Sequence, residues 1–210
     1  MKEIPDKSID LVLTDPPYGT TSCSWDSIVP LGEMWNGIMK SVKDKTAIIF
    51  TASQPFTSIL VMSNVAMFRH EWIYKKLCAS NFAQAKYAPM KEHESILIFG
   101  KQKVNYYPIK EQRQGSGGER LKYKFNETKS GEFTSIKNAL PNPTELRYPS
   151  SVQEFNNRAT GDRGLHPTQK PFELFKYLIE TYSLQTNIIL DPFLGSGTTA
   201  YCAKKLGRKC

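Results

Sequence analysis

The chain of 210 residues carries 28 Lys and Arg against 20 Asp and Glu, a formal net charge of +8, with 40% hydrophobic and 23% charged residues. That balance suits one soluble domain with its own core and excludes a disordered polar chain, and no stretch approaches the length of a membrane span. The four cysteines form no Cys-x-x-Cys pair and no ligand cluster with His70, His93 or His166, so no metal is expected, and without an apolar signal core at Met1 they read as reduced thiols of a cytoplasmic protein.

The first predicted element is a buried strand over Ile9-Asp10-Leu11-Val12-Leu13, running into Thr14-Asp15-Pro16-Pro17-Tyr18-Gly19. Neither proline has an N–H for a sheet ladder, and each restricts the residue before it, so the strand stops and presents Asp15 and Tyr18 at its carboxyl end. In an open α/β sheet that end is where ligands bind. A carboxylate, a proline carbonyl and an aromatic ring suit a flat base with an amino group, two acceptors for its N–H bonds and one ring for its face. A proline turn that merely closes a strand is the plain alternative. The polar stretch 20–26 reads as a loop beside the site, with Trp25 either enclosing a substrate or anchoring the loop.

Apolar residues at Leu31, Met34, Trp35, Ile38 and Met39 predict a helix over 31–42, and Ala47-Ile48-Ile49-Phe50 a buried strand. Phe56, Ile59, Leu60 and Met62 predict a second helix, and residues 71–76 and 94–100 two more strands. This order describes half of a doubly wound sheet finishing with an antiparallel edge. His93, before the last of these strands, reads as a polar flanking residue rather than a general base.

Over 101–165 the alternation stops. Basic residues number twelve against seven acidic, whereas residues 1–100 carry ten of each. Aromatics interleave with lysines at Tyr106, Tyr107 and Lys110 and at Lys122-Tyr123-Lys124-Phe125. Such a length without regular structure points to function or disorder, and the charge suits phosphates. Arg113, Arg120, Arg147, Asn156, Asn157 and Arg158 are the candidates for base edges. Gly115-Ser116-Gly117-Gly118 lacks the Gly-Lys-Ser/Thr ending of a phosphate loop and reads as a hairpin tip.

His166-Pro167-Thr168-Gln169-Lys170-Pro171 then precedes a predicted helix carrying Phe172, Leu174, Phe175, Leu178 and Ile179. A buried strand over residues 187–190 runs into Asp191-Pro192-Phe193-Leu194-Gly195-Ser196-Gly197-Thr198-Thr199, with a helix from about Thr198. A Gly-x-Gly turn between strand and helix lets a ligand approach the backbone and the helix N–H groups.

Asp15-Pro16-Pro17-Tyr18 resembles the catalytic motif of DNA amino-methyltransferases. Related turns occur in methyltransferases of RNA and protein, but there the cofactor motif precedes the turn. The order found here, with His-Pro-Thr-Gln-Lys-Pro and Asp-Pro-Phe-x-Gly-Ser-Gly-Thr-Thr downstream, resembles the permuted beta group of the DNA enzymes. The resemblance implies a Rossmann-like sheet with a catalytic half at 1–100, an inserted DNA target-recognition region at 101–165 and a cofactor-binding half at 166–210. It implies methyl transfer from S-adenosylmethionine to the exocyclic N6 of a flipped-out adenine in double-stranded DNA, with cytosine N4 or a catalytically defective DNA-binding remnant as alternatives. Asp15, Pro16, Pro17 and Tyr18 would form the catalytic turn. Thr168, Lys170, Asp191, Pro192, Phe193, Gly195, Gly197 and Thr198 would line the cofactor pocket. Family members carry a ribose-binding acid after a further strand, and this chain reaches Cys210 before one. One flank of the sheet is therefore expected to be missing, with residues 188–190 at an open edge, reduced cofactor affinity, or a homodimer or second chain that completes the site.

Overall fold

Residues Ile9–Thr14 form β1, the strand on which both halves of the chain converge. The structure, a computed structural model, describes residues 3–20, 26–112, 146–157 and 169–210. Two units are distinguished. One combines Met1–Tyr107 with Ser150–Cys210, and the other is Pro108–Pro149.

In the larger unit, α1 (Leu31–Ser41) passes directly into β2 (Val42–Ala52), because Val42 already has extended backbone. The strand starts five residues earlier than its apolar run, through Lys43-Asp44-Lys45, which carry no pattern to betray it. Next come α2 (Phe56–Ser63), β3 (Phe68–Ser80), β4 (Lys91–Phe99), β7 (Val152–Phe155), α3 (Phe172–Tyr182), β8 (Ile189–Leu190) and α4 (Thr198–Lys205). The smaller unit contributes β5 (Glu111–Gln112) and β6 (Leu146–Arg147), an antiparallel pair. In it Arg147 meets Glu111 at 3.3 Å, and Lys110 Nζ lies 5.3 Å from the Tyr148 ring centre.

The six-stranded sheet runs β7-β3-β4-β2-β1-β8. β1 pairs in parallel with β2 and with β8, and β3 with β7, while β4 runs against both β2 and β3. The antiparallel strand therefore lies inside the sheet and not at its edge. Burial explains this. Ile96 and Ile98 face one core and Leu97 and Phe99 the other, so β4 needs cover on both sides. β3, whose exposed and covered positions alternate, lies outside it and recruits β7 from the stretch that lacked a visible pattern.

One face of the sheet, with Leu11, Leu13, Ile49, Trp72, Tyr74 and Ile96, packs on α3 and α4. The other, with Val12, Ile48, Phe50 and Phe99, packs on α1 and α2 through Trp35, Ile38, Phe56 and Leu60. Ile48, Ile49 and Phe50 have no exposed surface, and burying each contributes roughly 1.5–3 kcal/mol. The result is the α/β Rossmann-like architecture expected, three layers with β4 and β2 at the centre of the sheet.

β8 ends the paired order, but its outer edge is not bare. Ile189 N–H donates to the Lys209 carbonyl at 2.8 Å, and Lys209 N–H to the Asn187 carbonyl at 3.0 Å. Cys78 and Cys210 are free thiols, and the Cys202 thiol donates to the Phe172 carbonyl at 3.6 Å. No helix among the described residues is long and apolar enough to cross a membrane. Cys23, Trp25, Arg113, residues 115–118 and 122–125, Arg120, Arg158, His166 and Thr168 lie outside the described residues.

Candidate active site

Parallel pairing brings the carboxyl ends of β8, β1 and β2 to the same edge. Thr14, the last residue of β1, donates from Oγ1 to Asp191 Oδ1 across 2.5 Å, joining the two motifs directly. The Asp191 carboxylate also accepts from Phe193 N–H at 3.0 Å and from Thr199 Oγ1 at 2.5 Å. Burial pushes the Asp191 carboxyl above its ordinary 3.8, against the pull of these hydrogen bonds.

Asp15, the next residue along β1, uses both its oxygens. Oδ1 accepts from the Tyr18 hydroxyl at 2.7 Å and from the Thr51 hydroxyl at the end of β2, and those two hydroxyls are 2.8 Å apart. Oδ2 accepts from Lys170 Nζ at 2.9 Å. Lys170 Nζ is also 3.3 Å from Glu94 Oε2 on β4, and Glu94 Oε1 is 2.7 Å from Lys76 Nζ on β3. Four charges thus alternate in sign from Asp15 to Lys76, and three of them are nearly enclosed, with side-chain exposures of 11% at Lys170, 14% at Glu94 and 13% at Lys76.

Burial would lower the pKa of the Lys170 ammonium, but Asp15, the Tyr18 oxygen and Glu94 outweigh it and hold the group well above the usual lysine range. Burial would likewise raise Glu94, but Lys170 and Lys76 prevail and hold it below its ordinary value. Both residues stay charged at neutral pH. The Tyr18 phenol, pushed far up chiefly by burial, stays neutral.

The Tyr18 ring stacks on Phe56 with centroids 5.5 Å apart and planes 21° apart, and Lys170 Nζ lies 5.3 Å from its centre. Behind the ring the backbone is clamped by Asp26, which is 8% exposed. Its Oδ1 accepts from Tyr18 N–H at 2.7 Å and Gly19 N–H at 2.9 Å, and its Oδ2 from Thr20 N–H at 2.9 Å. Asp26→Ala removes a charged acceptor from three amides, and a loss of about 1–3 kcal/mol is expected. For a chain of this size that lowers Tm by roughly 2–4 °C per kcal/mol in a thermal scan. An unchanged Tm would contradict the clamp.

Gly195 and Gly197 both take the left-handed region, at φ +51° and +78°. A Cβ at Gly197 would meet no atom within 4 Å, so the turn before α4 faces open space. Gly195, in the same turn, lines a cavity of about 740 Å³ together with Asp15, Tyr18, Glu94, Lys170 and Asp191 among others. A ligand of the size of S-adenosylmethionine fits such a volume. The turn and the α4 N–H groups suit its carboxylate.

Asp15, Pro16, Pro17, Tyr18, Lys170, Asp191, Phe193, Gly195 and Thr198 line this one cavity. Pro192 and Gly197 belong to the same strand-to-helix turn. Thr168 lies outside the described residues. Lys170 pairs with Asp15 and Glu94. Asn157, a candidate for reading bases, binds the backbone of Cys78 through both ends of its amide, and His93 is exposed on β4.

Sequence reasoning passed over Thr51, Asp26, Lys76, Glu94 and Gln169. For two of them a signal was there. Glu94 and Lys76 continue, at period two, the core-facing series Ile98–Ile96 on β4 and Trp72–Tyr74 on β3. An acid and a base in register with a buried face mark a polar site.

The chain resembles Type II methyltransferase M1.MboII of Moraxella bovis, with 28% identity over 99% of this chain and 85% of that protein. DNA adenine methyltransferase YhdJ of Escherichia coli K12 is 27% identical over all of this chain and 72% of its own length. PvuII DNA methyltransferase, described as cytosine-N4-specific, superposes with a TM-score of 0.62 at 14% identity over 99% of this chain and 75% of that one, which establishes a shared fold. The family's methyl donor is S-adenosylmethionine. Its sequence profile, described as DNA methylase, matches residues 9–210, and the chain belongs to this family of N6-adenine and N4-cytosine DNA amino-methyltransferases.

Proposed function

We propose that the chain methylates the exocyclic N6 of adenine in double-stranded DNA, on a base extruded from the helix. The observation that carries this reading is the single cavity shared by Asp15 and the glycine turn, which sets an acceptor for an amino group beside a cradle for a methyl donor. The bound cofactor supplies an electrophilic methyl group. Everything else falls to the chain's own residues.

An exocyclic amine is a weak nucleophile because its lone pair is delocalised into the ring. Asp15 and the Pro16 carbonyl accept its two N–H bonds, which localises that pair toward the methyl. The carboxylate becomes a stronger acceptor as positive charge develops on the nitrogen. Tyr18, backed by Phe56 and clamped through Asp26, offers a rigid ring to the base. Stacking returns roughly 1–3 kcal/mol of the few kcal/mol that extrusion costs. Catalysis is then mainly orientation.

Residues 101–165, with their basic surplus, form the target-recognition region in this proposal, and Asp191, Phe193, the glycine turn and Thr198 hold the donor. Adenine is favoured because an Asp leads the motif, and the likeness to YhdJ over the whole chain supports it. The fold likeness to the PvuII enzyme favours cytosine N4 as the second reading.

The test is to incubate the protein with S-adenosylmethionine carrying a labelled methyl and with unmethylated duplex DNA, then digest to nucleosides. Label in N6-methyldeoxyadenosine is the expected result. Label in N4-methyldeoxycytidine establishes the second reading, and no label in any nucleoside overturns both.

A further inference from the structure

Lys170 occupies the position that the function proposed above assigns to the substrate. Its Nζ donates to Asp15 Oδ2 at 2.9 Å and lies 5.3 Å from the Tyr18 ring centre. A target amino group must find those same two features, an acceptor on Asp15 and a place over Tyr18. With Oδ1 already taken by two hydroxyls, Oδ2 is the acceptor for which base and lysine compete.

A displaced ammonium needs somewhere to go, because a buried unpaired charge costs several kcal/mol. Glu94 Oε2 stands 3.3 Å from Nζ. Its other oxygen is held by Lys76 at 2.7 Å, which keeps the carboxylate ionised and aimed. The groups facing Lys170 are Asp15 and Tyr18 from the turn after β1, Glu94 from β4 and Tyr74 from β3.

We propose that Lys170 holds the place of the substrate amino group on Asp15, and that Glu94, fixed by Lys76, receives the ammonium when the base arrives. This rests on the function proposed above. Lys170 is a gate made of charge: a base enters only if its N–H bonds and its ring together outbid an ion pair. Glu94 is a positioning residue that lowers the barrier to that exchange and never touches the base.

Glu94→Gln keeps the shape of the receiver and removes its charge. The expected result is a fall of about tenfold in kcat/KM for DNA, with the Kd for S-adenosylmethionine unchanged within twofold and most of the loss recovered in Glu94→Asp. In a Lys170→Met background, where nothing needs to be received, Glu94→Gln should have no further effect. An unchanged kcat/KM, an equal loss in both backgrounds, or a parallel loss of cofactor affinity would each overturn the proposal. The second measurement does not depend on methyl transfer. In protein with ¹⁵N-labelled lysine side chains, Glu94→Gln should lower the pH midpoint of the Lys170 Nζ resonance, and an unmoved midpoint overturns the proposal. If the wild type methylates no DNA, the assigned function fails while this titration still decides whether Glu94 holds Lys170.

Discussion

Asp15→Ala is expected to lower methyl transfer by about a thousandfold at saturating cofactor, the scale on which enzymes lose a preorganised group that stabilises developing charge. Under the proposed function the substitution removes the acceptor for the amino group and leaves Lys170 to Glu94. Asp15→Asn, which keeps one carbonyl oxygen but no charge, should fall between wild type and alanine. Labelled-methyl incorporation measured under single-turnover conditions separates the chemical step from product release. An alanine variant with wild-type rates would remove Asp15 from the mechanism.

Asp191→Ala carries the second large effect, and it falls on cofactor binding and stability together. It orphans the fully buried Thr14 hydroxyl and the Phe193 N–H, and leaves the equally buried Thr199 hydroxyl only the Leu13 carbonyl at 3.4 Å. Each orphaned group costs about 1–3 kcal/mol. Loss of the tie between β1 and β8 should weaken S-adenosylmethionine binding at least tenfold by calorimetric titration. Asp191→Asn should be much milder, because burial already disfavours the charged form. The sign of the pH effect follows from that shift. The folded state holds the Asp191 proton more tightly than the unfolded chain, so stability from this group is lost as pH rises through the window above 3.8. The asparagine variant should lack that slope in acid unfolding curves, and a slope identical to wild type would place the raised pKa elsewhere.

Much of this architecture was legible before any coordinates. Short-range signals sufficed for α1, α2 and α3, because apolar spacing within one helix depends on neighbours three and four residues away, and for the start of α4, which the glycine turn marks. The ends of β1 and β8 were equally plain, since proline and glycine act locally. What escaped was what depends on partners distant in the chain. Val152 becomes strand by pairing with Ile73, and nothing in Val152-Gln153-Glu154-Phe155 announces it. The interior place of β4 follows from the way β3 folds back on it. The sequence pointed to the ring of Tyr18 alone, whereas its hydroxyl bonds to Asp15 and Thr51. Lys170, placed in the cofactor pocket by its motif, lines the shared cavity and also reaches a carboxylate 155 positions away, a contact its neighbours in sequence do not announce.

The hydrogen bond from Thr14 to Asp191 spans 177 positions of sequence and a single step between adjacent strands. The reacting groups are therefore spaced by sheet geometry, about 4.8 Å per strand, and not by the chain that connects them. Lengthening a connection costs little, roughly 0.6 kcal/mol for each doubling. A connection can accordingly be exchanged or enlarged while Asp15 and Asp191 stay in register, and under the function proposed above a lineage can acquire a new target without rebuilding its catalyst.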